Sequence, residues 1–399
     1  MDVDRSRPGL VTGMCAAMHA VGGGLAWSLV PPLMPQIAAD LSLSHAMGGL
    51  VWGATPLGIA LASPLGGAAV DRFGPRRVAA LAMLVGAVAC AARALADGAL
   101  SLGLAMFVFG LHVGFVAPAI PKALAGHVSL RSFGRANGAA VLSYTLGTAI
   151  TVLTARTVLS PLFGGWRPTM LAAAVAMAIV GLLWLALVRD RTLASRHASL
   201  LDVVRLGKNP QLMRVAAIHF LLFGGYLALL GLLPRALTEG GLEPSAVGLA
   251  VASWLGAAAL ANLAGPWISD RLGRRLPVLA VGSTVAALAL ALVALLPPSF
   301  ATLALVVAAL GGGAVAPILL AMPIEMPAVG PARAGAALGL LLLVGQVGGF
   351  LLPVVASGMV EAWGFAAAVA LLAVAHLAIL LPLRRLGETG PWTRAAAGV

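Results

Sequence analysis

Twelve apolar runs follow one another along the chain, each long enough to cross a hydrocarbon layer about 30 Å thick as a helix of about 20 residues. They fall at about 10–38, 46–70, 78–95, 100–126, 134–159 and 169–188, then at about 212–237, 245–268, 276–296, 301–321, 335–360 and 364–383. In hydrocarbon a peptide group must find its hydrogen bond within protein, so only helices and closed barrels span a bilayer. Barrel strands are about 10 residues of alternating character, and no such alternation is present here. Composition agrees: 61% of the 399 residues are hydrophobic and 10% charged, where a soluble domain carries roughly 25% charged residues. Twelve helices of about 20 residues need about 240, and 61% of 399 supplies that number. The net charge of +12 does not make a nucleic-acid binder, because that requires basic residues gathered on one solvated face. Here they lie in short connections. Cys15 and Cys90 both sit inside apolar runs, which excludes a disulfide framework and a metal-ligand spacing. The first run leads directly into further spans, so it is expected to be a retained helix, with the mature chain starting near Met1.

The arginines divide unevenly between alternate connections. One set holds Arg72, Arg76 and Arg77; Arg131 and Arg135; a cluster from Arg189 to Arg214; Arg271, Arg274 and Arg275; Arg333; and Arg384 and Arg385. The other holds little beyond Arg93, Arg167 and Arg235. Basic residues favour the cytoplasmic side, so both termini are expected there, in the cytoplasmic (inner) membrane. The polar stretch at 189–210 then reads as a cytoplasmic linker between residues 1–188 and residues 211–399.

A shift of 199 positions superposes Asp71, Arg72, Gly74 and Arg76 on Asp270, Arg271, Gly273 and Arg275, and also Gly66 on Gly265 and Trp27 on Tyr226. Recurrence at equivalent loops of two six-span halves implies an internal repeat. The run Gly66-Gly67-Ala68-Ala69-Val70-Asp71-Arg72-Phe73-Gly74-Pro75-Arg76-Arg77, with its reduced copy at Gly265–Arg275, resembles the loop signature of the major facilitator superfamily. That resemblance covers nearly the whole chain. It implies an all-α membrane protein of twelve helices in two pseudo-symmetric six-helix bundles, which moves a small solute by alternating access as a symporter or antiporter and acts as a monomer without a cofactor. The loops would act as a gating latch of Gly66, Asp71, Arg72, Gly74, Arg76 and Arg77 with Asp270, Arg271, Gly273, Arg274 and Arg275. The acid Glu325, near Arg333, would meet Arg274 or Arg275 on the same side.

Charged groups at membrane depth are costly and are functional candidates by default. None of the thirteen acids falls at mid-span. The protonatable or cationic candidates are His19, His112, Lys122, Arg156 and His219, and of these His112 lies nearest the midplane. An imidazole could carry a coupling proton, although a helical histidine is as often a hydrogen-bonded packing residue. Lys122 follows Pro118 and Pro121, which free backbone carbonyls, but its stem could equally snorkel to the surface. The neutral polar candidates are Tyr144, Asn262 and Gln346, and Trp27, Trp52, Tyr226 and Trp254 offer aromatic surfaces.

Helix four lacks the arginine usual in proton-coupled members of the superfamily, and helix five lacks the Gly-Pro pair of drug/proton antiporters. Pro118-Ala119-Ile120-Pro121-Lys122 is similar to a stretch of the cyanate/nitroimidazole branch, a short match. The nitrate branch would want arginines at mid-span in helices two and eight, and none is there. Cations without mid-span acids favour a small anion as substrate. Export of a hydrophobic or neutral compound over the aromatic residues is the alternative, and a transporter-shaped sensor without flux a further one. No nucleophile and base set or metal cluster points to an enzyme, and the partners expected are the solute, membrane lipid and protons as a coupling ion.

Overall fold

A computed structural model describes residues 8–189, 205–295 and 298–390. Among the described residues there are twelve helices long and apolar enough to cross a membrane, and no strand. They are α1 (Pro8–Asp40), α2 (His45–Phe73), α3 (Pro75–Ala94), α4 (Ala99–His127), α5 (Arg135–Phe163) and α6 (Trp166–Leu187). After them come α7 (Pro210–Glu239), α8 (Pro244–Leu272), α9 (Leu276–Leu295), α10 (Ala301–Glu325), α11 (Gly335–Trp363) and α12 (Phe365–Leu383). Most of the linker expected at 189–210 lies outside the described residues.

Short connections carry the chemistry that ends one helix and starts the next. Between α2 and α3 the single residue Gly74 turns the chain at φ 82°, and its repeat partner Gly273, between α8 and α9, has φ 63°. Both values lie where a side chain is disfavoured, which explains glycine at this place in each copy. Pro75 then opens α3 and Pro210 opens α7, at the helical position where a missing N–H costs nothing. Asn209 caps α7 by accepting from the amides of Gln211 and Leu212, at 2.9 and 3.2 Å.

The chain divides into two compact units. Unit 1 comprises residues up to Leu43 and Ala54–His197; unit 2 comprises Ser44–Gly53 and Ala198–Val399. In unit 1, α3 packs on α4 and α6, and α1 packs on α5. In unit 2 the same neighbours recur: α9 packs on α10 and α12, and α7 on α11. Sequence order assigns the first turns of α2 to the first bundle, yet Ser44–Gly53 packs within unit 2. There the Trp52 indole donates to the Leu227 carbonyl at 2.8 Å, the Ala46 amide donates to Glu361 at 2.8 Å, and the imidazole Nε2 of His45 lies 3.0 Å from Glu239, which also accepts from Arg235.

Close helix approach is repeated as well. A Cβ on Gly66 of α2 would come within 2.9 Å of the Phe115 Cα on α4, and one on Gly265 of α8 within 2.6 Å of the Ala314 Cα on α10. Both distances are shorter than real contacts, so these glycines set the α2–α4 and α8–α10 spacing, as small residues do between membrane helices. The adjacent Gly67 faces open space. Gly66→Leu and Gly265→Leu are each expected to destabilise the protein by about 1–3 kcal/mol, the range for overpacking a tight contact. Gly67→Leu should leave the unfolding midpoint unchanged. Equal midpoints for all three variants in detergent would show that the helices do not meet at these glycines.

Candidate functional site

The loop acids are held differently in the two units. In unit 1, Asp71 at the end of α2 takes the Lys122 ammonium from α4. Of the two expectations for Lys122, a place beside freed carbonyls or a stem reaching toward the helix end, the contact with Asp71 at the end of α2 accords with the second. Arg76 donates through Nε and Nη2 to the Leu185 carbonyl near the end of α6, at 3.0 and 2.5 Å, while the Trp184 indole donates to the Arg76 carbonyl at 3.1 Å. One helix-end carbonyl of α6, that of Leu185, thus finds its donor in the motif arginine. Arg72 lies against the Phe73 ring and Arg77 is exposed.

In unit 2 the equivalent arginine changes partners. Arg275, 7% exposed, donates to Glu325 at 2.7 Å, to Asp270 at 2.5 Å and to the Ser269 hydroxyl at 3.0 Å. The Glu325 carboxylate bonded to it, with Asp270 behind, holds the guanidinium above its ordinary pKa against the opposing effect of burial. Thr389 of the tail donates its hydroxyl to Glu325 at 2.9 Å. Arg271 stacks 3.8 Å over the Trp267 ring, while Arg274 and Arg333 are exposed.

The membrane-depth candidates of unit 1 gather around an irregular stretch of α1. His19–Trp27 is π-helical and contains Gly22-Gly23-Gly24. Tyr144 of α5 fills the space a Cβ on Gly23 would need, and Gly24 meets the Gly147 backbone. His112 is buried, with Nδ1 2.9 Å from the Ala82 carbonyl and the Phe109 ring edge-on at 5.1 Å. It faces α3 at Gly86 and α1 at Gly22. Among the described residues the buried Nδ1 of His19 has no hydrogen bond, while the imidazole is hydrogen-bonded to the backbone at Ala140; Trp27 is buried, and Arg156 lies half-buried in a second π turn, Ala155–Leu159.

The sequence reading missed Arg93. It was assigned to a connection on the strength of its charge, yet its side chain is fully buried. Its Nη1 donates to the Ala26 carbonyl at 2.8 Å, and the guanidinium carbon lies 3.8 Å from the Phe109 centroid. Among the described residues Nε and Nη2 have no nitrogen or oxygen hydrogen-bond partner, and the neighbouring polar side chain is the Cys90 thiol. The signal was present: Pro31 lies five residues after Ala26, where a π-helix would place the donor, and proline has no N–H to give.

In unit 2 three separately chosen residues prove to be neighbours. His219, Phe223 and Tyr226 of α7 and Trp254 of α8 form one continuous stack, with successive centroids 5.6, 6.3 and 5.2 Å apart and planes 23°, 27° and 21° from parallel. Phe223, the ring that joins them, was not singled out, although the spacing 219, 223, 226 is that of one helix face. Gly345 touches His219, and among the described residues the buried Oε1 of the next residue, Gln346, has no partner, nor has His219 Nδ1. Asn262 is exposed on α8. Missed as well was His376 of α12, buried with Nδ1 2.9 Å from the Leu372 carbonyl.

Duplicated loops with paired acids, two units of like neighbour pattern and membrane-depth polar residues in each define a transporter of the two-repeat kind. The sequence profile of the Major Facilitator Superfamily matches residues 17–242 and 215–398, and the chain belongs to that family. It is 29% identical over 348 residues to the probable nitrate/nitrite transporter NarK2 of Mycobacterium tuberculosis, covering 83% of this chain and 84% of that one. It is 26% identical over 363 residues to the nitrite extrusion protein of Bacillus subtilis, covering 87% of each. Those two names belong to the branch that the missing mid-span arginines had set aside. The fold matches a bacterial homologue of the human lysosomal transporter Spinster, with TM-score 0.78, 18% identity and 96% of each chain covered. It also matches the nucleoside transporter NupG, with TM-score 0.77, 17% identity and 94% and 98% coverage.

The two arginines at equivalent positions should differ in their weight for stability. Arg275→Gln leaves Glu325 buried against a neutral partner, and losing one side of a buried ion pair costs about 3–5 kcal/mol. Arg76→Gln removes hydrogen bonds to a carbonyl, worth about 1–3 kcal/mol for a charged donor. Thermal unfolding of the two variants in one detergent would reveal the order, and a larger loss for Arg76→Gln would refute the pairing.

Proposed function

We propose that the protein is a secondary transporter moving a small inorganic oxyanion, of the nitrate or nitrite kind, across the cytoplasmic membrane by alternating access. The observation that carries this reading is the near full-length similarity to two proteins named for nitrate and nitrite transport. Charge distribution supports it: no acid lies at mid-span, whereas His112 does, and Arg156 lies toward one end of its helix. An oxyanion entering the membrane must exchange water for positive charge or N–H donors. Arg156, the histidines and the indole and amide groups of Trp27 and Gln346 are the side chains proposed to offer them.

The asymmetry of the loops gives the transport cycle its switch. On the proposed orientation, with both termini cytoplasmic, Asp71 with Lys122 braces the inner end of unit 1 and Asp270 with Arg275 and Glu325 that of unit 2, and these braced loops are proposed as the inner latch. The attachment of Ser44–Gly53 in unit 2, through Trp52 and His45, is proposed as the outer one. For α2 to move with the rest of its own bundle, those contacts must break. Each latch therefore favours one state, and the anion shifts the balance only by binding the two states unequally.

A second reading, export of a neutral aromatic compound by a monomer, draws on the stack His219–Phe223–Tyr226–Trp254. Thermal shift separates the two, because a ligand that binds the native state raises its apparent stability. Nitrate and nitrite are expected to raise the unfolding midpoint of the purified protein, whereas urea, an uncharged planar molecule of similar size, and gluconate at equal ionic strength do not. Asp71→Asn should keep that response and slow anion flux into proteoliposomes. A midpoint indifferent to both anions but raised by neutral aromatic compounds would transfer the assignment to the second reading.

A further inference from the structure

At the end of unit 2 that carries the tail, two neighbouring cavities of about 510 and 500 Å³ open between the ends of α7, α9 and α12. The first has Arg274 and Arg384 at its rim and Leu276, Leu380 and Leu383 along its wall. The second is lined by Arg214, Arg384 and Arg385, with Leu381 beside them. Arg384 belongs to both. Arg274, Arg384 and Arg385 are exposed, Arg214 half-buried, and Arg214 Nη1 donates to the Arg385 carbonyl at 2.7 Å, which ties the end of α12 to α7.

One acid, Glu388, also lines the first cavity, but its carboxylate is engaged. Oε1 accepts from the amides of Arg275, Thr389 and Gly390 at 2.7, 3.0 and 3.0 Å, and Oε2 accepts from the Leu276 amide at 3.1 Å. Glu388 thus serves as the cap of α9, satisfying amides that have no intrahelical acceptor. Among the described residues no ion pair joins any of the four arginines to an acid.

A cationic rim above leucine walls, at the ends of membrane helices, is the complement of a phospholipid. We propose that the two cavities bind one anionic phospholipid carrying two phosphates, of the cardiolipin class, with its acyl chains along Leu276, Leu380, Leu381 and Leu383. Each guanidinium can grip a phosphate with two parallel hydrogen bonds. Four arginines in adjoining cavities suit two phosphates, with Arg384 between them. This site is independent of the transported solute.

Native mass spectrometry of the full-length protein, titrated in detergent with tetraoleoyl cardiolipin, dioleoyl phosphatidylglycerol, phosphatidylcholine or inorganic phosphate, tests the assignment. One cardiolipin is expected to be retained in preference to the other lipids. R274Q/R384Q should weaken it about thirtyfold, which is about 2 kcal/mol at about 1 kcal/mol for each basic residue near the lipid surface. The charge-matched R205Q/K208Q should change it less than about threefold, and R274K/R384K should recover part of the affinity. Equal losses in the two glutamine doubles, equal retention of phosphatidylcholine, or a stabilisation by inorganic phosphate matching that of the lipid would each overturn the proposal. Should the lipid-free R274Q/R384Q protein unfold at a lower temperature than the parent, Arg385→Gln is read by the same criteria.

Discussion

Inside hydrocarbon a backbone carbonyl without a donor costs several kcal/mol, and that requirement decides where this chain may depart from a regular helix. The clearest departure is the π-helical segment of α1, where Gly22, Gly23 and Gly24 let α5 approach and Pro31 withholds an N–H from Ala26. Arg93 answers with its guanidinium. A buried positive charge would ordinarily be prohibitive, but the face of Phe109 and the carbonyl offset much of that cost. Tyr144, His112 and Gly147 pack against the three glycines of the same stretch.

The same requirement acts at the loops, and there the repeat diverges. Gly74 and Gly273 turn the chain alike, yet Arg76 serves the end of α6 whereas Arg275 serves two acids and a serine. The difference follows from what each unit supplies nearby. Unit 1 offers Lys122 for Asp71, so its arginine is released to cap a helix. Unit 2 has Glu325 on α10 and Glu388 on the tail, and its arginine region becomes the junction of the α8–α9 loop, α10 and the tail. The two copies of the loop thus hold different ion pairs, and they are expected to contribute unequally to stability.

Much of this was legible in the sequence because the solvent is so restrictive. Run length gave the twelve helices to within a few residues, and the 199-position shift gave the repeat with its turning glycines. The side-chain environment was less legible. Arg93 was read as a loop residue because charge normally marks a helix end, and the carbonyl that draws it inward is 67 positions away. Lys122 was placed by its neighbours in sequence, whereas its partner Asp71 lies on another helix. The stack of unit 2 was half visible, since residues 219, 223 and 226 share one face of α7, but contact with Trp254 depends on how α8 is rotated. Pattern reading reports which face a residue occupies; it does not report what stands opposite.

The two units also differ in the kind of polar group each holds at membrane depth. Unit 1 holds charge and hydrogen-bonding groups around α1: Arg93, His112, His19 and Tyr144, most of them committed to backbone or packed against glycine. Unit 2 holds a flat aromatic surface edged by His219, whose Nδ1 is unpaired, with the unpaired Oε1 of Gln346 on α11. Polar atoms fully committed within their own bundle fix its shape and add little to binding. Buried atoms left without partners retain hydrogen-bonding capacity, and leaving them unused costs about 1–3 kcal/mol each. Among the described residues both units hold such atoms: Nε and Nη2 of Arg93 and Nδ1 of His19 in unit 1, and Nδ1 of His219 and Oε1 of Gln346 in unit 2. The guanidinium nitrogens can only donate and the amide oxygen can only accept, so the two units differ in the kind of unused capacity and not in its presence.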